Sequence, residues 1–93
     1  MLNEKLVLVT GASRGIGRAI ALTLGAAGAT VIGTATSDEG AANISKIFTE
    51  NNILGKGMKL NVTENEQITD LLKNITADYG SVDILINNAG ITR

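Results

Sequence analysis

Short apolar runs alternate with stretches whose apolar residues recur every three or four positions, and the alternation continues along all 93 residues. Residues 5–10 (KLVLVT) are aliphatic and β-branched without a break until Gly11, the pattern of a strand covered on both faces. Residues 15–27 follow with Ile16, Ala19, Ile20 and Leu24 at helical spacing, and Gly28 is a plausible stop for that helix. A second strand is predicted over 30–34 (TVIGT), with Gly33 marking a close backbone approach. The pattern is helical again over 39–51, with Ile44, Ile47 and Phe48 inward, and 51–57 reads as a turn region. A third, weaker strand covers 56–62. Thr63 and Glu66 then frame a capping box, and the helix it opens carries Ile68, Leu71, Leu72 and Ile75 on one face until Gly80. Residues 82–86 (VDILI) form a fourth strand that runs into Asn87-Asn88-Ala89-Gly90.

The order β-α-β-α-β-α-β implies right-handed crossovers and a parallel sheet with helices on both faces, an α/β fold in a single domain. No repeats, linkers or low-complexity segments interrupt it. Composition sharpens this picture in three ways. Phe48 and Tyr79 are the only aromatic residues, so the core is built from Ile, Leu, Val and Ala. The absence of Cys and His excludes disulfides, Cys/His zinc sites, catalytic thiols and imidazole bases within these residues. A net charge of −1 with eight scattered Lys and Arg provides no concentrated basic face for nucleic acid. The start, MLNEKLVLVTG, lacks the apolar run of a signal peptide, and no segment reaches the length of a membrane span, so a cytoplasmic location is expected.

Candidate chemistry concentrates in Thr10-Gly11-Ala12-Ser13-Arg14-Gly15-Ile16-Gly17, between the first strand and the first helix. A dinucleotide pyrophosphate needs three things there. Gly11 lets the chain leave the strand in a tight turn, Gly15 removes a side chain from the path of the phosphates, and Gly17 lets the helix lie close to the sheet. The N–H groups at the helix start then face the anion. The spacing is GxxxGxG, not GxGxxG, and a glycine triplet alone is also compatible with a simple turn and small-residue helix packing. Its position after an apolar strand and before an amphipathic helix favours the phosphate reading.

The residue that commonly takes the ribose 2′-hydroxyl of NAD is an acid about 20 positions past the glycines. Here that stretch is Thr34-Ala35-Thr36-Ser37, neutral and rich in hydroxyls, and Arg14 lies in the glycine turn itself. A 2′-phosphate would meet a cation and hydroxyl donors, which favours NADPH over NADH; the alternative for Arg14 is a solvated surface arginine. Leu60-Asn61-Val62-Thr63 and Asn87-Asn88-Ala89-Gly90 end the third and fourth strands, on the sheet edge where ligands lie. Asn61 can hydrogen-bond the adenine end, and the small Ala89 and Gly90 leave room for a ribose or adenine. Asparagines that cap strand ends and support turns explain the same residues equally well.

Together these segments resemble the short-chain dehydrogenases/reductases. TGASRGIGRAIA at 10–21, LNVT at 60–63 and VDILINNAGITR at 82–93 match that family's TGxxxGxG and NNAG motifs at their usual separation, across nearly the whole chain. The resemblance implies a Rossmann-type doubly wound parallel sheet, of which residues 1–93 form the first β-α-β-α-β-α-β half, the NADP-binding part of one domain. It implies that Gly11, Ala12, Ser13 and Arg14, with Gly15, Ile16 and Gly17, cradle the pyrophosphate and 2′-phosphate of NADP(H), and that Thr36 helps to hold the 2′-phosphate. Asn61 and Val62 would contact adenine, and Asn88, Ala89 and Gly90 would line the adenosine ribose, with Asn87 tying strands together.

Within the family, VIGTATS and NNAGITR look most like the bacterial reductases of 3-oxoacyl groups on acyl carrier protein, which implies fatty-acid biosynthesis, acyl-carrier-protein-bound substrates and a homotetramer. Two other readings remain: the same fold and cofactor acting on another ketone or alcohol, and a nucleotide-binding module without catalysis. The family's catalytic Ser and Tyr-x-x-x-Lys are expected beyond Arg93. Tyr79, followed by Gly80-Ser81-Val82-Asp83, lacks the lysine four positions on and reads as a core residue at a helix end. No catalytic and no metal-binding residue is assigned within the chain, and the fourth strand is expected to expose an edge that invites self-association.

Overall fold

The computed structural model describes residues 2–13, 15–60 and 65–86, the side chains of 65–68 excepted. Seven elements follow in the expected order: β1 (Leu6–Val9), α1 (Gly15–Ala26), β2 (Thr30–Ala35), α2 (Asp38–Glu50), β3 (Gly55–Lys59), α3 (Asn65–Tyr79) and β4 (Ile84–Ile86). All strand pairs are parallel and the sheet order is β3-β2-β1-β4. The chain steps from β1 to β2 to β3 in one direction, then crosses back to place β4 on the other side of β1. The carboxyl ends of β1 and β4, in register at Val9 and Ile86, therefore bound the point where the order reverses.

Strand residues alternate between two cores. Val7, Val9 and Val31 face Ala21 of α1 and Ile44 and Phe48 of α2, with Ile84 and Ile86 partly buried alongside. Leu6, Leu8 and Ile32 face Leu71 and Ile75 of α3, with Leu60 beside them. The unbroken apolar run of β1 thus arises because both its faces are covered. Leu85, of opposite parity to Ile84 and Ile86, is 54% exposed on β4, an edge strand of this sheet.

The helices end through left-handed caps. After α1, Gly28 (φ 104°) donates to the Gly25 carbonyl while Ala29 donates to that of Leu24, a Schellman arrangement. Asn52 (φ 58°) does the same after α2, with Ile53 donating to Phe48 at 2.8 Å. At its start α2 carries Ser37 as N-cap, whose Oγ accepts the Gly40 N–H at 3.0 Å, with Asp38 and Glu39 complementing the helix dipole. Replacing Ser37 by alanine is expected to lower stability by about 1 kcal/mol, measured as a shifted urea midpoint at unchanged slope.

In α1, Ile16 is 69% exposed and Ala19 is exposed too; the inward stripe is Gly17 and Ala21, flanked by Ile20 and Leu24, because small residues let the helix approach the sheet. Two expectations are corrected. Tyr79 is not a core residue: it is 41% exposed, with the Lys56 ammonium 6.0 Å from its ring centroid. Part of the expected turn at 51–57 is strand, since β3 starts at Gly55, in register with Val31. The capping box at Thr63 and the inward placing of Ile68 lie outside the described residues. No helix among the described residues is long and apolar enough to cross a membrane.

Candidate functional site

The segment after β1 leaves the sheet at the switch point and is anchored on both sides. On the β4 side, the Thr10 N–H donates to the Ile86 carbonyl at 3.0 Å, and the Thr10 hydroxyl approaches the same oxygen at 3.4 Å. On the β2 side, the Gly11 N–H donates to Thr34 Oγ1 at 3.1 Å and the Ala12 N–H to the Thr34 carbonyl at 2.8 Å. Gly11 takes φ 65°, in the left-handed region where a side chain is disfavoured. The Ala12 methyl is buried against β2, and a Cβ on Gly33 would meet it at 2.9 Å. The close approach expected at Gly33 is therefore with the turn itself, as well as with Ile44 of α2.

With Gly11 and Ala12 held, the chain turns through Ser13 into α1. Gly15 also has φ 65°, and a Cβ built on it meets no described atom within 4 Å. Among the described residues nothing therefore crowds Gly15 in the first turn of α1, and the leading N–H groups of a helix have no partner within it. Gly17, on the inner face, is buried. Left-handed glycines, an uncrowded Gly15 among the described residues and a helix N-terminus make this a candidate anion cradle.

The corner between β2 and α2 adjoins this cradle. A Cβ on Gly40 would lie 3.3 Å from Ser37 Oγ and 3.8 Å from Ser13 Cβ, so the two loops converge on one spot. Thr36 and Ser37 are exposed there, while Thr34, two residues earlier, is 1% exposed and turned to the glycine turn. The hydroxyl-rich stretch therefore divides into one buried hydroxyl and two at the surface. Asp38 and Glu39, exposed in the first turn of α2, are the nearest carboxylates in sequence.

Of the residues singled out from sequence, Gly11, Ala12, Ser13, Gly15, Ile16, Gly17 and Thr36 are brought to this one edge. Ala12 contributes a buried methyl and a committed N–H, and Ile16 offers an exposed side chain at the start of α1. Arg14, Asn61, Val62, Asn88, Ala89 and Gly90, and Asn87 with them, lie outside the described residues. Sequence reasoning missed the part of Thr34, and it missed Lys59, an exposed cation at the end of β3 in register with Ala35. Strand pairing, not spacing along the chain, brings both near the site. A separate concavity of about 360 Å³, lined by Asn3, Glu4, Gly28 and Leu54 among others, sits at the opposite edge, where β2 and β3 begin. Ligands of open parallel sheets lie at the carboxyl edge, so the glycine turn is the candidate site.

Nearly the whole chain is similar to known proteins. Residues 5–93 match the sequence model of a family described as short chain dehydrogenase. A 3-oxoacyl-[acyl-carrier-protein] reductase of Salmonella typhimurium is 64% identical over 89 residues, which are 96% of this chain and 35% of that protein. A protein of the same description from Vibrio harveyi is 62% identical over 92 residues, 99% of this chain and 36% of the relative. A third, from Pseudomonas aeruginosa, is 51% identical over 99% of this chain and 37% of its own length. The chain thus spans a little over a third of the curated relatives it matches.

Proposed function

This chain belongs to the short-chain dehydrogenase family, and from that premise we propose that residues 1–93 are the N-terminal, NADP-binding part of a single Rossmann-fold domain. The full-length protein then uses NADPH to reduce 3-oxoacyl groups on acyl carrier protein to 3-hydroxyacyl groups, as a cytoplasmic homotetramer in fatty-acid biosynthesis. The observation that carries the cofactor reading is the turn at the switch point. Its left-handed glycines and open approach at Gly15 aim the first turn of α1 at the edge where a pyrophosphate would lie. The substrate reading is supported by the relatives' names and by identities of 51–64% across nearly the whole chain.

In this reading Ser13, Arg14 and the α1 N–H groups of Gly15, Ile16 and Gly17 hold the phosphates. Thr36, beside the Ser37 cap, takes the ribose 2′-phosphate with Arg14. Asn61 and Val62 flank adenine, and Asn88, Ala89 and Gly90 line the ribose. Bound NADPH supplies the hydride; the residues of this chain bind and orient the adenosine half. The proton-donating and carbonyl-orienting residues belong to the remainder of the full-length protein.

The test is a continuous assay of NADPH oxidation by the full-length protein with acetoacetyl-acyl carrier protein, with NADH as the competing cofactor. Turnover with a kcat/KM at least about tenfold higher for NADPH is expected, the gain of roughly one charge-assisted hydrogen bond. No turnover with the thioester but turnover with a free ketone would move the substrate elsewhere. A preference for NADH would overturn the roles given to Arg14 and Thr36.

A further inference from the structure

We propose that Thr34 is a positioning residue for the phosphate-binding turn, acting from β2 through Gly11 and Ala12 and touching no ligand itself. The inference rests on the reading of that turn as a dinucleotide site and goes beyond it by naming what holds the turn in shape. Thr34 is 1% exposed, and Thr10 and Thr34 are the buried polar residues among those described. The neighbours of Thr34 in the strand are aliphatic or glycine, and valine has nearly its shape, so packing alone does not call for a hydroxyl. Burying a hydroxyl is costly unless it is hydrogen-bonded. Here its oxygen accepts the Gly11 N–H at 3.1 Å, across 23 positions of sequence, while the carbonyl of the same residue accepts the Ala12 N–H at 2.8 Å.

One residue of β2 therefore fixes two successive amides of the turn. Gly11 adopts φ 65°, a conformation open to glycine but not imposed by it, since glycine populates many others as readily. The hydroxyl selects that one. With the Gly11 and Ala12 amides directed at β2 and the Ala12 methyl seated against Gly33, the path of the chain from β1 toward α1 is set at its start. Thr34 thus determines the direction of groups it does not touch. Its function differs from that of Thr36, which is exposed and proposed to meet the ligand directly.

The experiment compares Thr34→Val and Thr34→Ser with wild type in the full-length protein. Three quantities are read: NADPH affinity by fluorescence titration, amide exchange at Gly11, and the urea unfolding midpoint. Valine removes the acceptor and is expected to weaken NADPH binding roughly tenfold and to speed exchange at Gly11; serine restores both. If Thr34→Val does not fold, Thr34→Ala and Thr34→Ser give the same comparison, since they differ only by the hydroxyl. Unchanged exchange at Gly11 in the variants lacking the hydroxyl overturns the proposal. A fall in stability with unchanged affinity also overturns it, because Thr34 would then be a core residue alone. Failure of the wild-type protein to bind NADPH would sink the cofactor reading, while exchange at Gly11 would still decide whether Thr34 holds the turn.

Discussion

Replacing Gly15 by alanine is expected to leave the protein folded and to remove nearly all its affinity for NADPH. The structural cost is confined to the backbone, because the new methyl would meet no described atom within 4 Å. Holding alanine at φ 65° costs about 1–2 kcal/mol, a modest part of the roughly 5–15 kcal/mol of a typical domain. Binding is affected differently. The methyl would stand in the opening that the proposed phosphates must cross to reach the α1 amides, and a single misplaced group there blocks several hydrogen bonds together. A loss of at least about 100-fold is expected, the equivalent of two charge-assisted hydrogen bonds. Fluorescence titration with NADPH measures it, and urea unfolding of the same preparation shows that the fold survives. Undiminished affinity would mean that the cofactor does not approach α1 from this side.

The separation between fold and binding at Gly15 has a counterpart in what the sequence revealed. The alternation of strands and helices, and the parity of Val7 and Val9 against Leu6 and Leu8, follow from local pattern, because burial on both faces leaves no other arrangement for an unbroken apolar run. Ile16 shows where such reasoning stops. Two stripes of α1 have helical spacing, one beginning at Ile16 and one at Gly17, and hydrophobicity alone favours the isoleucine. Close contact with the sheet favours the smaller residue instead, so Gly17 and Ala21 are buried and Ile16 is 69% exposed.

The same limit applies at β3. Gly55-Lys56-Gly57-Met58-Lys59 carries the polar and glycine content of a loop, and local propensity reads part of it as one. The strand expected from 56 is found, and pairing with β2 from Val31 to Ala35 extends it back to Gly55, which local pattern leaves in the turn. In the site, the glycine turn was legible because its requirement is a local conformation. Thr34 was not, because what distinguishes it from Thr36 is the direction of a side chain at the point where β2 ends. Before the fold is known the two hydroxyls are equivalent; after it, one is 1% exposed and bonded to Gly11 while the other faces solvent.

Alanine at Gly57 is expected to be strongly destabilising for the addition of a single methyl group. Gly57 pairs with Gly33 across β2 and β3, and this glycine row is where α2 comes down on the sheet. A Cβ at Gly57 would run into the backbone carbonyl of Ala41 and stand 2.7 Å from Ile44 Cβ. Neither obstacle is a flexible side-chain tip that can turn away. The helix must retreat, lifting Ile44 and Phe48, both 1% exposed, from the core they fill. Overpacking of this kind costs about 1–3 kcal/mol, and the rigid backbone obstacle places Gly57→Ala at the upper end or beyond it. Retreat of α2 also breaks the 2.8 Å bond from the Gly57 N–H to Ser45 Oγ. Ser45→Ala isolates that contribution, expected at about 1 kcal/mol, because it removes the acceptor and leaves the space untouched. The same retreat carries Ser37 and Gly40 away from Ser13, so NADPH affinity is expected to fall in Gly57→Ala and to hold in Ser45→Ala. Urea unfolding and fluorescence titration of the two variants read both effects. Equal stability in Gly57→Ala and Ser45→Ala would mean that α2 does not rest on the glycine row, and the convergence of the two loops at the candidate site would lose its support.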